Sequence, residues 1–194
     1  CGIMITASHN PKEDNGLKFA FKDYLNAKGE EITDFYEETI KGDFLEGTGS
    51  VRKINVKEEY FKAIKDGLKF GDKRIKAVLD PGNGTTSIIL KDLYSMFPID
   101  FTIINGKSDG TFPNHHPDPS IEANLEQLKK KVLETEADIG VSFDGDGDRV
   151  GVITNEGKFL PCDYYMILII RDIIDKVKNK TFLYDVKCSK SLED

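Results

Sequence analysis

The sequence predicts an α/β fold of repeated mixed β-sheets sandwiched between helices. Two observations predict it. From Arg74 onward, short apolar runs alternate with segments of helical periodicity, the pattern of a mainly parallel sheet with helices on its faces. Gly, Asn and Pro turns punctuate the exchanges at Pro81-Gly82-Asn83-Gly84 and Asn155-Glu156-Gly157.

Taken in order, Gly2 to Thr6 reads as a buried strand and Ala7-Ser8-His9-Asn10-Pro11 as a turn, because proline pushes the residue before it away from helix. Gly16 to Phe21 reads as a second strand. Ile32, Phe35, Tyr36 and Ile40 share one side of a helix over 30–40, with Thr33 near its start. Residues 41–50, rich in Gly, Asp, Ser and Thr, form a linker. Tyr60, Phe61, Ile64 and Leu68 mark a helix over 56–70. Strands are expected at 75–80, 101–105 and 139–143, and helices at 85–97 and 121–136. An antiparallel return over 150–154 forms an edge, followed by a helix over 163–177 and a strand over 181–186. The expected domains are 1–53, carrying the serine turn, 54–157, carrying an acidic loop, and 158–194, the start of a third. A chain that begins at Cys1 inside an apparent strand and stops just after another is expected to be an incomplete piece of a longer protein.

Composition narrows the functional classes. The net charge of −7 and the scattered basic residues give no electrostatic case for a nucleic-acid partner. The longest apolar segment, Tyr164 to Ile170, is too short to span a membrane. Cys1, Cys162 and Cys188 are odd in number and widely spaced, which points to a reducing cytoplasmic setting without a disulfide framework or zinc knuckle.

The densest chemistry is Asp144-Gly145-Asp146-Gly147-Asp148-Arg149, flanked on both sides by strand-like runs. Three carboxylates at alternate positions repel one another unless a cation sits between them. An all-oxygen set suits Mg²⁺ or Ca²⁺ and disfavours Zn²⁺. A calcium EF-hand loop is excluded, since its sixth and twelfth positions would hold Arg149 and Asn155 rather than Gly and Glu. A solvated acidic turn is the plain alternative. Ser8, just after a strand, either hydrogen-bonds its own backbone or serves as nucleophile and phosphate carrier. It is not a G-x-S-x-G elbow, because Thr6 and Asn10 flank it. Lys18 is a candidate proton donor and acceptor or a phosphate partner, and Arg149 a phosphate fork. The loop over 106–120 is long enough to suggest function. Its His115 and His116 lack a third ligand in register and read as loop packing.

Gly2-Ile3-Met4-Ile5-Thr6-Ala7-Ser8-His9-Asn10-Pro11, ending in Asn15-Gly16-Leu17-Lys18, resembles the phosphoserine signature of the α-D-phosphohexomutase family. Asp144 to Arg149 resembles its magnesium loop. Asp80-Pro81-Gly82-Asn83-Gly84, Phe112 to Pro119 and Asp185-Val186-Lys187-Cys188-Ser189 resemble further landmarks, the Asn114-His115-His116-Pro117-Asp118-Pro119 run being most like the phosphomannomutase/phosphoglucomutase branch.

The resemblance implies an isomerase interconverting hexose 1-phosphate and hexose 6-phosphate, with mannose or glucose as the sugar and hexose 1,6-bisphosphate as intermediate. It implies that Ser8 is the phosphoserine and also a metal ligand through its phosphate. Asp144, Asp146 and Asp148 would hold one Mg²⁺, Lys18 would be the general acid/base, and His9 would shape the phosphate site. Arg149 and Lys187 would contact phosphate or substrate. Family members carry further domains with the sugar- and phosphate-binding loops, so the present residues alone are expected to be inactive. A phosphoglucosamine or phosphopentose mutase is the nearest alternative, and a non-catalytic metal-binding module on the same fold is the alternative from another class.

Overall fold

Strand β3 (Ile75–Asp80) is the axis of the larger sheet in the computed structural model, which describes residues 1–21 and 25–192. It pairs in parallel with β4 (Ile99–Ile103) on one side and β5 (Ile139–Phe143) on the other. Strand β6 (Val150–Thr154) returns antiparallel beside β5, and β7 (Phe159–Leu160) closes the order β4-β3-β5-β6-β7. The hairpin between β5 and β6 is the acidic loop.

A pleated strand sends alternate side chains to opposite faces, and β3 is buried on both. Val78 joins Leu125, Leu128, Val132, Ala137 and Ile153 beneath helix α4 (Glu126–Thr135). Ala77 and Leu79 face Leu90 of the short helix α3 (Leu90–Tyr94) on the other side. Each fully buried Leu or Val contributes roughly 1.5–3 kcal/mol relative to exposure. Gly140 of β5 lies under α4, where an added Cβ would stand 2.7 Å from Val132 Cγ2 and 3.0 Å from Leu128 Cδ1. Its missing side chain lets the helix settle onto the sheet.

The chain divides into two compact units, Cys1–Lys69 and Phe70–Asp194. In the first, β1 (Gly2–Ile5) pairs antiparallel with β2 (Leu17–Ala20). Phe19 and Phe21 pack on Phe35 of helix α1 (Glu30–Lys41) at ring separations of 5.0 and 5.2 Å. Gly42 ends α1 in the left-handed conformation that glycine adopts without strain. Helix α2 (Lys57–Gly67) follows an irregular stretch that covers the expected linker.

Several expectations are corrected. Strand β1 is exposed rather than buried, since among the described residues only β2 pairs with it. The 85–97 segment is a 3₁₀ turn over Thr85–Ile88 followed by five α-helical residues, because Thr85, Thr86, Ile88 and Ile89 are β-branched and crowd a helical turn. The 121–136 helix likewise opens with a 3₁₀ turn over Glu122–Leu125. The sheet edge beyond β6 is β7, not β6 itself. Helix α5 (Cys162–Ile173) is shorter than expected, and residues 181–186 form no strand, for no strand among the described residues offers them a ladder.

Candidate phosphoryl-transfer site

The serine turn is rigid because its backbone is tied at both ends. Thr6 N–H donates to Gly16 O (3.0 Å) and Asn10 N–H to Ala7 O (3.0 Å). Ser8 N–H donates to Thr6 Oγ1 (2.9 Å). A Cβ at Gly16 would lie 2.4 Å from Thr6 O, so the close approach of the two strands requires glycine there. Ser8 itself sits at φ 53°, an uncommon conformation for a residue with a side chain. Backbone strain of that kind gathers at functional positions when the surroundings enforce it. Ser8 and His9 are half-buried, and Lys18 is exposed on β2 opposite Met4.

Asp144, Asp146 and Asp148 present carboxylate oxygens that all lie within 4.8 Å of one another. They lie where β5 ends, at the carboxyl edge of a parallel pair, which is where open α/β sheets place ligands. Asp144 is fully buried, Asp146 half-buried and Asp148 exposed, so the group runs from the interior to the surface. The loop closes on itself. Arg149 N–H donates to Asp144 Oδ1 (3.0 Å), Asp144 N–H to Arg149 O (3.3 Å) and Gly147 N–H to Asp144 O (3.2 Å). Arg149 Nε is 4.0 Å from Asp144 Oδ2. Gly147, at φ 79°, passes so close to Thr86 that a Cβ would meet its methyl at 2.3 Å. Three hard oxygen donors fit Mg²⁺, and the loop offers no nitrogen or sulfur ligand.

Polar groups of the Asp80–Thr85 turn lie behind the loop. Thr85 donates to Gly145 O through both its N–H (3.0 Å) and its hydroxyl (3.1 Å). Gly84 passes so near that a Cβ would stand 2.8 Å from Gly145 O and 3.1 Å from Asp144 O. These contacts tie the Asp80–Gly84 landmark to the acidic loop. Asp80 is fully buried; its Oδ1 accepts from Gly82 N–H (2.9 Å) and Asn105 Nδ2 (3.1 Å), and its Oδ2 lies 3.0 Å from His115 Nε2. His115 Nδ1 lies 2.9 Å from His116 O. Burial alone would push the His115 imidazole down, but the hydrogen bond to Asp80, the His116 carbonyl and the Asp80 charge together raise it. Sequence reading treats Asp80, Thr85 and His115 as landmark, helix and loop packing, and misses this support.

A cavity of about 460 Å³ opens beside the loop, where Asp148 and Arg149 face Ser120, Cys162 and Tyr165. The Cys162 thiol is raised by its hydrogen bond to Asp163 Oδ1 (3.1 Å) and by burial, the opposite of an activated nucleophile. No sequence motif marks Ser120 or Tyr165; the loop after β4 and helix α5 bring them there. Lys187 is exposed on a turn in which its N–H donates to Asp185 Oδ1 (2.8 Å), and Ser189 N–H of the same turn donates to Asp163 Oδ2 (2.5 Å). Ser8, His9 and Lys18 belong to the first unit; Arg149, Lys187 and the three aspartates belong to the second. Among the described residues no helix is long and apolar enough to cross a membrane, and the three cysteines are free.

Known proteins share this arrangement of elements. The family description "Phosphoglucomutase/phosphomannomutase, alpha/beta/alpha domain II" matches residues 58–157, and its domain I counterpart matches residues 1–46. A phosphomannomutase/phosphoglucomutase of Pseudomonas syringae pv. tomato is 38% identical over 191 residues, spanning 98% of this chain and 41% of its own length. A phosphoglucomutase of Neisseria meningitidis is 34% identical over 193 residues, covering 98% of this chain and 42% of that protein. The crystal structure of a phosphoglucomutase/phosphomannomutase family protein from Burkholderia thailandensis superposes with a TM-score of 0.90 at 33% identity, covering 98% of this chain and 41% of the other. The chain thus spans about two fifths of the relatives it matches, 41% in the first of them. With both domain descriptions matched in order and the acidic loop on the domain II hairpin, the chain belongs to the phosphoglucomutase/phosphomannomutase family of α-D-phosphohexomutases.

Proposed function

We propose that these residues supply the phosphoryl-transfer half of an enzyme that interconverts hexose 1-phosphate and hexose 6-phosphate, with mannose or glucose as the sugar. The observation that carries the reading is the convergence of Asp144, Asp146 and Asp148 within 4.8 Å beside Arg149, in a chain that also holds a constrained Ser8 turn. Asp144, Asp146 and Asp148 would hold the Mg²⁺. Once bound, that ion neutralises charge on the phosphoryl oxygens.

Ser8 carries the phosphoryl group on Oγ. The substrate hydroxyl attacks phosphorus, the Ser8 Oγ–P bond breaks, and a hexose 1,6-bisphosphate forms. The other phosphate then returns to Ser8 Oγ, releasing the isomeric monophosphate. Lys18 takes the proton from the attacking hydroxyl and passes it to the departing Ser8 Oγ, and the return half-reaction runs the same transfer in reverse. His9 shapes the turn beside the phosphate, and Arg149 and Lys187 offer cationic donors to phosphate oxygens. The sugar-recognition and distal phosphate contacts fall to further domains of the protein, a reading supported by the 41% coverage of its relatives. The present residues by themselves then bind Mg²⁺ without sustained turnover. Three free cysteines support a cytoplasmic setting.

Intact mass and peptide mapping around Ser8, before and after incubation with hexose 1,6-bisphosphate, test the assignment. One phosphoryl group on Ser8, absent from Ser8→Ala, is the expected result in the full-length protein. A bare Ser8 there would overturn it. A coupled assay across glucose, mannose, glucosamine and ribose 1-phosphates on the same protein distinguishes the hexose reading from the phosphoglucosamine and phosphopentose alternatives.

A further inference from the structure

We propose that His115, acting through buried Asp80, is a positioning residue for the cation loop Asp144–Asp148. The inference rests on the reading of that loop as the Mg²⁺ site and adds a residue that supports it from behind.

The His115 ring is held at both of its nitrogens. Nδ1 faces the His116 carbonyl and Nε2 faces an Asp80 carboxylate oxygen, at 2.9 and 3.0 Å. Both nitrogens face oxygen atoms, and the imidazolium is the ring form that donates to both at once. Its side chain is 10% exposed and that of Asp80 0%. A buried ion pair of this kind leaves a costly uncompensated charge when one partner is removed.

Asp80 uses its other oxygen to hold the next turn. Oδ1 accepts from Gly82 N–H, and Gly84 N–H closes that turn on Pro81 O at 2.7 Å. Gly82 and Asn83 both take positive φ, 53° and 62°, a conformation that glycine and asparagine tolerate best, and the hydrogen bonds fix the turn in it. Asn83 is gripped as well, donating from Nδ2 to Lys107 O and accepting at Oδ1 from Asn114 Nδ2, both at 2.8 Å. The far end of the turn delivers the two Thr85 hydrogen bonds to Gly145 O and the close backbone contact of Gly84. Gly145 lies between two of the three aspartates. A continuous run of hydrogen bonds and backbone therefore joins His115 to the loop, 30 residues on in sequence, and the distance between those carboxylates depends on the turn holding its shape. Residues that hold metal ligands in place through hydrogen bonds typically change affinity by about 10- to 100-fold when removed.

The test is Mn²⁺ binding to the full-length protein, read from the electron paramagnetic resonance of the free ion, together with the thermal melting curve. His115→Ala should weaken the Mn²⁺ dissociation constant by about tenfold. His115→Gln, which keeps an amide donor for Asp80 without the charge, should recover part of that loss and folds even if the alanine variant does not. Val132→Ala, a truncation in the core under α4, should lower the melting temperature and leave the constant unchanged. Equal Mn²⁺ affinity in wild type and both His115 variants would overturn the positioning role while leaving the cation loop intact. Mn²⁺ affinity falling as far in Val132→Ala as in His115→Ala would overturn it too, by showing general loosening. Absence of any Mn²⁺ binding in the wild-type full-length protein would overturn the loop reading itself and the inference with it.

Discussion

Asp146→Asn should make the metal-free protein more stable and abolish its stabilisation by Mg²⁺. The three carboxylates come within 4.8 Å of one another. At that separation, two unit charges repel by about 3.5 kcal/mol at an effective dielectric of about 20. Removing the Asp146 charge relieves two of the three pairs. Asp148 is exposed and Arg149 stands 4.0 Å from Asp144, so water and the guanidinium screen most of that sum. A net gain of about 1 kcal/mol is a reasonable magnitude after this discount. In wild type, a cation present at a hundredfold its dissociation constant adds about 2.7 kcal/mol, and the variant should lose nearly all of it. Thermal melts of both proteins, with and without millimolar MgCl₂, read the two signs together. A variant that melts lower than wild type in chelator, yet still rises with Mg²⁺, would refute the claim that the loop is a repulsive cluster awaiting a cation.

Two further perturbations follow from the same structure. Gly140→Ala drives a methyl to 2.7 Å from Val132 Cγ2 within the fully buried core, and should cost about 1–3 kcal/mol, read as a melting temperature several degrees lower; an unchanged melting curve would show that α4 shifts freely. The raised His115 imidazole makes stability fall with alkalinity. Its contribution is fully present below the unfolded histidine value of about 6.5 and is lost as pH rises through the higher folded value, so melting temperature should decline across that interval in wild type and stay flatter in His115→Gln. Equal slopes in the two proteins would contradict the ion pair.

What could be read from residues alone, and what could not, divides along a physical line. The acidic loop was legible because its chemistry is local: three charges at alternate positions repel wherever the chain goes, and apolar runs on both sides fix it as a hairpin tip. Strands β3 and β5 were legible for a similar reason, since short, mostly apolar runs between turn residues fit strands of a sheet covered on both faces. Features that depend on a partner far away in sequence were not. Residues 181–186 have strand composition, yet a strand exists only where another supplies its ladder, and none of the described residues does so. Phe159–Leu160 is too short to show an alternation and becomes β7 because β6 is beside it. The left-handed Ser8 is invisible too, because serine has no strong preference for that conformation and Thr6 and Gly16 impose it.

The Asp80–His115 pair is the most instructive of these. Each residue by itself reads as punctuation, an aspartate before a proline turn and a histidine in a long loop. Only the parallel order β4-β3-β5 brings the end of β3, the loop after β4 and the loop after β5 to one edge of the sheet. The same edge collects the cation loop because parallel strands all end there. A fold that gathers its ligands at one edge must also gather, at that edge, the polar backbone its turns expose, and buried polar groups have to be paired. Asp80 answers that need at the cost of a buried charge, His115 offsets the charge, and the acidic loop rests on the turn they hold together.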